Sequence, residues 1–131
     1  ALEAYQTATR IDPQDAAAWT GQGKAALAIH DASGAELAAR RALARGGDSL
    51  EAGTVLAYAL LQRGKAKAAL GVLERTASEN PDDATVRCMI GRCHEVLGQA
   101  ERAVACYLAV LREDPENALA KQLLAAAGET P

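Results

Sequence analysis

Residues 101–117, with the sequence ERAVACYLAVLREDPEN, decide the fold, because the residue types they contain return through the whole chain. The small Ala103 and the aromatic Tyr107 are followed by Pro115, which cannot continue a helix. Asn117 comes two residues later and belongs to the residue types that cap helix N-termini. The segment therefore predicts a helix that ends before a proline and a second helix that starts directly after it.

When the sequence is aligned with itself so that Ala1 falls on Ala35, the same residue types come back into register. The columns are Ala1, Ala35, Ala69 and Ala103; the small residues Gly23, Ala57, Gly91 and Ala125; Pro13, Gly47, Pro81 and Pro115; Tyr5, Ala39, Leu73 and Tyr107; and the N-cap types Asp15, Ser49, Asp83 and Asn117. Five columns in one register indicate an internal repeat.

Each column has a physical role in a helical hairpin. Small residues let two antiparallel helices approach closely, proline ends the second helix, and the polar residue accepts unpaired N–H groups of the next helix. Gly64 and Gly98 stand in the middle of two repeats, where a left-handed residue closes the first helix, and His30 takes this place in another. The sequence predicts helix, turn, helix, turn, and no strand.

Composition excludes several classes of function. A chain of 131 residues buries a modest core. The net charge of −3 and the pI near 5.4 give no general attraction to nucleic acid or to an anionic membrane. No apolar run is long enough to span a bilayer, and residue 1 is not followed by a signal-peptide pattern, so we expect no membrane insertion and a cytoplasmic location.

The pattern resembles the tetratricopeptide repeat, a helix–turn–helix of about 34 residues with characteristic Trp, small, aromatic, Ala and Pro positions. Residues 16–27, AAAWTGQGKAAL, resemble the opening of such a repeat through Trp19 and Gly23, and ERAVACYLAVLREDP resembles its close. Gly53 and Arg87 depart from the pattern, because they replace the Trp-type residue. The resemblance implies an all-α fold, a right-handed α-solenoid of antiparallel helix-turn-helix repeats with about seven or eight helices.

We expect one domain over residues 1–131. Its parts are the second helix of a partial repeat in 1–15, full repeats in 16–49, 50–83 and 84–117, and a C-terminal capping helix and tail in 118–131.

No arrangement in the sequence predicts catalysis. Cys88 and Cys93 are five residues apart, so on a helix they point in different directions, and there is no CxxC motif. His30 and His94 stand in unrelated places. The GQGKAA segment resembles part of a phosphate loop but falls inside a helix with no strand before it. We expect no enzyme activity, no catalytic residue, no metal site and no cofactor.

The resemblance implies that the first helix of each repeat lines a concave groove. A helical wheel places positions two, five, nine, twelve and thirteen of each repeat opposite the hairpin interface. Position nine is Lys24, Tyr58 and Arg92 in successive repeats, and Glu95 lies three residues from Arg92, where it can neutralise that cation. The candidate groove residues are Thr20, Lys24, Leu27, Thr54, Tyr58, Leu61, Gln62, Cys88, Arg92 and Glu95.

The expected function is that of a protein–protein interaction scaffold, part of a larger bacterial protein, which binds a peptide or protein segment in this groove. The expected partner carries an acidic or carboxylate-bearing segment. Two alternatives remain open: a small secretion-type repeat chaperone, and the substrate-recognition arm of an enzyme whose catalytic domain lies outside the chain. RNA binding is disfavoured by the 34-residue period and the acidic pI. Self-association through the N-terminal helix is a further expectation, because Leu2 and Tyr5 lack a hairpin partner.

Overall fold

A computed structural model describes residues 1–128, and within this range the chain forms α-helices joined by short turns, with no strand. The predicted tail residues 129–131 lie outside the described part. The eight helices are α1 (Leu2–Ile11), α2 (Ala16–Ala28), α3 (Ala32–Ala44), α4 (Ser49–Gln62), α5 (Ala66–Glu79), α6 (Ala84–Val96), α7 (Ala100–Glu113) and α8 (Ala118–Ala126).

Each helix packs against the next one along the chain, and first helices of successive hairpins also meet, α2 with α4 and α6 with α8. The crossings within hairpins are built on the small-residue columns. Ala35, Ala69 and Ala103 begin the inner sides of α3, α5 and α7, and all three are completely buried. Larger side chains, Leu60, Leu73 and Tyr107, fill the interior between these crossings. The fold is therefore the all-α hairpin stack that the repeat predicts.

The turns inside the hairpins follow the prediction for left-handed residues. Gly64 and Gly98 have φ values of 75° and 80°, and His30 takes the same conformation with φ of 61°. After each of the two glycines the next N–H donates back to the helix, from Lys65 to the Leu60 carbonyl and from Gln99 to the His94 carbonyl, both at 2.8 Å. These bonds satisfy carbonyl groups that a helix end otherwise leaves unpaired.

Three of the four predicted N-caps are confirmed. The side chains of Asp15, Asp83 and Asn117 accept hydrogen bonds from the backbone N–H groups three residues later. Each cap satisfies a donor at the helix start, and a cap of this kind stabilises a helix by about 1 kcal/mol.

The fourth predicted N-cap, Ser49, is wrong. Ser49 is the first residue of α4, and its hydroxyl donates to the Glu79 carboxylate. The cap is Asp48, whose carboxylate accepts from the N–H groups of Leu50 and Glu51. The helix starts one residue early because α3 ends in a glycine turn instead of an Asp-Pro pair. Gly46 has a φ of 75°, and the following N–H donates to the carbonyl of residue 42 at 2.9 Å.

Candidate functional site

The candidate groove lies on the outward sides of α2, α4 and α6. Lys24, Tyr58 and Arg92 occupy the same position on these three helices, and all three side chains are exposed. The Lys24 ammonium forms an ion pair with the Glu51 carboxylate, which connects α2 to α4. Because half of each side chain remains in solvent, this pair contributes little to stability and leaves the lysine able to exchange partners.

Arg92 is also paired, in the way the sequence predicts. Its guanidinium donates to the Glu95 carboxylate one helical turn later. The other oxygen of Glu95 accepts a hydrogen bond from the buried Tyr107 hydroxyl at 3.0 Å. Burial and this neighbouring carboxylate together raise the pKa of Tyr107 well above its usual range. Glu95 is therefore fixed between the groove and the hairpin interior, and any ligand carboxylate competes with it for Arg92.

The apolar part of the groove is centred on Tyr58, which is 41% exposed. Leu27 and Leu61 are half-buried and pack against the core, while Gln62 is exposed. Thr54 is half-buried, and its hydroxyl donates to the Glu51 carbonyl at 2.9 Å, so it presents mainly a methyl group. The structure thus leaves a tyrosine ring and leucine edges accessible between two neutralised cations.

Two predicted groove residues are not accessible, and for them the expected position is wrong. Thr20 is 5% exposed, and its hydroxyl donates to the Ala16 carbonyl at 3.1 Å. Cys88 is completely buried and packs with Tyr107 and Leu124 in the cluster that joins α6 to α7 and α8. A helical wheel drawn for one helix does not include the packing of neighbouring helices, which determines the burial of these positions.

The three cysteines are free thiols. Burial raises the pKa of Cys88 and of Cys93 to about 11, and it raises the pKa of the half-buried Cys106 as well. At neutral pH these thiols are protonated and therefore weak nucleophiles. Within residues 1–128 no group of three or more His, Cys, Asp and Glu side chains is placed to hold a metal ion.

A second concavity lies outside the predicted groove, between α3 and α5, with Gly53 of α4 at its base. One feature of the sequence indicates this cleft, because Gly53 stands in the column where the preceding repeat has Trp19.

In the described residues 1–128, eight helices with a 34-residue period, small-residue crossings and an accessible face on the first helices define a helical-repeat interaction protein. Comparison with known sequences gives the family. Two sequence profiles described as tetratricopeptide repeat match residues 60–127 and 1–49. The chain belongs to the tetratricopeptide repeat family. It is a right-handed α-solenoid and a scaffold for protein–protein interaction.

Individual relatives agree with this family. The chain is 32% identical over 114 residues to the CTR9 homolog protein of Arabidopsis thaliana, an alignment that covers 86% of this chain and about a tenth of that protein. The crystal structure of MamA has a TM-score of 0.83 at 21% identity and covers 96% of this chain and 74% of that one. YrrB, a TPR protein with an unusual peptide-binding site, has a TM-score of 0.76 at 25% identity, with 97% and 68% covered.

The first TPR domain of human RPAP3 has the same fold, with a TM-score of 0.79 at 18% identity over 88% of this chain and 91% of that one. In the described part of the chain no helix is both long enough and apolar enough to cross a membrane.

Proposed function

We propose that the groove binds an extended or helical peptide that carries a large apolar side chain and at least one carboxylate. The observation that supports this most directly is the alignment of Lys24, Tyr58 and Arg92, which are exposed at one repeat position on α2, α4 and α6. A tyrosine supplies rigid contact area with little loss of side-chain entropy, and flanking cations orient an anionic ligand. YrrB, which has a peptide-binding site, shares the fold.

The ion pairs in the groove indicate that apolar contacts supply most of the binding free energy. The partner's carboxylate has to replace Glu51 at Lys24 or Glu95 at Arg92, so the net electrostatic gain is small. Exposed ion pairs contribute about 0.2–1 kcal/mol each. We therefore expect an affinity that depends mainly on Tyr58 and falls modestly as salt is added.

We propose a binding role without catalysis; the protonated thiols of Cys88 and Cys93 argue against cysteine-based catalysis. Free thiols are typical of a reducing compartment, which supports a cytoplasmic location. Self-association through α1 stays a prediction, supported by the exposure of Tyr5 and Ile11 on that helix.

The test starts from short peptides selected from a displayed random library on the immobilised domain. Changing Lys24, Tyr58 and Arg92 together to Ala should weaken binding of the selected peptides at least about tenfold, a loss of about 1.4 kcal/mol. Circular dichroism should show unchanged helical content, because all three side chains are exposed.

A matched control lies on the second helices. Lys67, Arg102 and Leu108 are two exposed cations and one exposed large apolar residue on α5 and α7. Replacing these three with Ala should leave the affinity unchanged. If the selected peptides still bind the groove variant but no longer bind this control variant, the groove is not the binding site.

A further inference from the structure

The fourth position of each repeat holds a different residue in each hairpin, and this difference creates a second candidate site. The residues are Trp19, Gly53 and Arg87, each 34 positions apart. Trp19 is 7% exposed and packs with alanines of α3 and α4. Its indole N–H donates to the Pro13 carbonyl at 2.8 Å. In the first repeat, therefore, an indole fills this place completely.

Two arginines, one on α3 and one at its C-cap, cover the outer face of that indole. The guanidinium carbons of Arg41 and Arg45 lie 4.9 and 5.6 Å from the ring centroid. Cations at this distance from a tryptophan face are attracted by the negative charge of its π-system. The first repeat thus shows which side chains surround an aromatic ring at this position of the stack.

The second repeat lacks the ring, and its surroundings agree only in part with those of the first. Arg41 returns as Arg75, whereas Thr76 and Glu79 take the places of Ala42 and Arg45. Gly53 is buried but supplies no side chain, and a cleft of about 730 Å³ opens between α3 and α5. Leu56 and Leu60 of α4 form part of its base, and Leu43 and Val72 line its sides. Gly71 at its mouth has no other atom within 4 Å of the place of a β-carbon. The volume lies in the range of about 300–1,000 Å³ that is typical of ligand sites.

In the third repeat the place of the indole is filled only in part. Arg87 stands at the fourth position, and its guanidinium donates to the Glu113 carboxylate at 2.7 Å. A smaller depression of about 300 Å³ remains beside it. Across the three repeats the place is filled by an indole, left open, or occupied in part by a paired arginine. The opening therefore follows from the residue at the fourth position and is not a general feature of the stack.

The mouth of the cleft has a charge pattern that selects among apolar ligands. Arg75 lies 34 positions after Arg41, so it holds the place of a guanidinium that stacks on the indole in the first repeat. Within residues 1–128 Arg75 has no ion pair. Arg40 lines the same cleft and is paired with Glu36, while Glu79 accepts from the Ser49 hydroxyl. A ring with a carboxylate beside it would match the apolar base and the unpaired guanidinium.

We propose that the Gly53 cleft is a docking site for an aromatic side chain, preferentially tryptophan, on a partner protein segment that has a carboxylate next to that residue. The partner's ring enters the cleft beside Thr76, on the side of α4 where Trp19 lies in the first repeat, and Arg75 stacks on it and meets the carboxylate. This site lies on the side of α3 and α5 and is independent of the groove on α2, α4 and α6.

The first experiment uses N-acetyl-tryptophan, which has the ring and a carboxylate, and N-acetyl-tryptophanamide, which lacks the charge. Added to the isotope-labelled full chain, N-acetyl-tryptophan should shift the amide signals of Gly53 and Gly71 in a saturable way. The amide should bind about threefold more weakly, because it forms no ion pair with Arg75. Arg75→Gln should remove that difference. Absence of saturable shifts at both glycines overturns the proposal.

A second experiment closes the cleft from within. A β-carbon at position 53 would lie 2.5 Å from Thr76 Oγ1, and the first repeat has Ala42 at the place of Thr76. The double change Gly53→Trp with Thr76→Ala should therefore fill the cleft, raise the melting temperature and abolish the shifts caused by N-acetyl-tryptophan. The single variant Thr76→Ala should still show the shifts caused by N-acetyl-tryptophan. Shifts that persist in the folded double variant contradict the proposal.

Gly71→Leu provides a second variant in case the double change prevents folding. Position 71 corresponds to Leu37 in the first repeat, and a leucine is a better helix former than glycine. This variant should stay folded and weaken N-acetyl-tryptophan binding at least threefold by narrowing the mouth, an effect of the size of one exposed contact. Unchanged affinity in this variant places the ligand elsewhere.

The last comparison identifies the kind of partner. An acetylated and amidated Asp-Trp-Asp tripeptide should bind more tightly than N-acetyl-tryptophan, since a protein segment adds contacts along α3 and α5. Equal affinities would show that the cleft takes free aromatic carboxylates, which overturns the assignment of a protein partner. The groove variant with Lys24, Tyr58 and Arg92 changed to Ala should bind N-acetyl-tryptophan normally, so failure of this proposal is distinguishable from failure of the groove.

Discussion

The second and third repeats have the same backbone plan but differ in how well their hairpins are filled. In the third repeat Tyr107 is completely buried, and a β-carbon on Gly91 would lie 2.6 Å from its ring. In the second repeat Leu73 replaces that tyrosine, and Gly53 sits at the base of a cleft of about 730 Å³. Both glycines therefore lie at close helix contacts, since a β-carbon on Gly53 would lie 2.5 Å from Thr76 Oγ1, but the larger cleft opens beside the contact in the second repeat.

The difference shows that the structural role of a small residue in a repeat depends on the side chains around it. Gly91 lies under a rigid ring, so it permits close packing. Gly53 lies under the smaller, non-aromatic Thr76, and it supplies no side chain where the first repeat has Trp19. The period fixes the helix positions, and the residues that break the period determine where the surface is open.

The strongest test of this comparison converts the first repeat into a copy of the second. Trp19→Ala removes a 7% exposed indole, its hydrogen bond to Pro13 and the ring under Arg41. Truncation of a buried tryptophan costs about 3–5 kcal/mol. Urea unfolding should show a loss of this size, with Trp19→Phe losing clearly less. A loss far below this range would mean that the first repeat does not depend on the filled position.

The next test measures the opposite case, a small residue with no space beside it. Ala103 is completely buried at the α6–α7 crossing, whereas Ala100 is exposed at the start of α7. Ala103→Leu should destabilise the protein by about 1–3 kcal/mol through overpacking. Ala100→Leu should have little effect. Equal melting temperatures for the two variants would contradict the positions assigned to them.

The sequence predicts the fold well because the repeat depends on local chemistry. Proline and glycine end helices, and Asp and Asn cap them, whatever the rest of the chain does. The one wrong cap, Ser49, comes from the joint where Gly46 and Gly47 replace Asp-Pro, since that turn places Asp48 at the helix start. The sequence shows that this joint departs from the period, but it does not show that α4 begins one residue early.

The accessibility of the candidate groove residues could be predicted only in part, because burial depends on contacts between helices. A wheel drawn for α2 or α6 places Thr20 and Cys88 on the outward side, but the packing of neighbouring helices buries both. The pairing of Lys24 with Glu51 is also a contact between hairpins, whereas the pairing of Arg92 with Glu95 is local and was predicted from spacing. The Gly53 cleft needs three helices and so could not be derived from any one of them.

The smallest effect concerns a polar bridge between α3, which forms one side of the Gly53 cleft, and the turn between α4 and α5. Glu36 on α3 accepts hydrogen bonds from Arg63 at 2.7 Å and from Arg40 at 3.1 Å, and Lys65 lies 3.6 Å away. The residues at the same place in the later repeats are Leu70 and Val104, which cannot form such a bridge. Its partners are partly exposed, and we expect Glu36→Gln to cost about 1 kcal/mol at neutral pH.

The pH dependence of that cost follows from the pKa of Glu36. Burial of the carboxyl raises its pKa, but the hydrogen bonds from Arg63 and Arg40 and the charge of Lys65 outweigh this and hold the pKa below its ordinary value of 4.5. A lowered folded-state pKa means that the bridge contributes its full stability above the unfolded-state pKa and loses it as the pH falls through the folded-state pKa. Urea unfolding of the wild type and of Glu36→Gln should therefore differ at pH 7 and converge as the pH falls below 4.5. Glu74→Gln is the control, because Glu74 is an exposed carboxylate on α5 that forms no ion pair within residues 1–128. A difference that stays constant down to low pH would show that Glu36 contributes through packing and not through its charge.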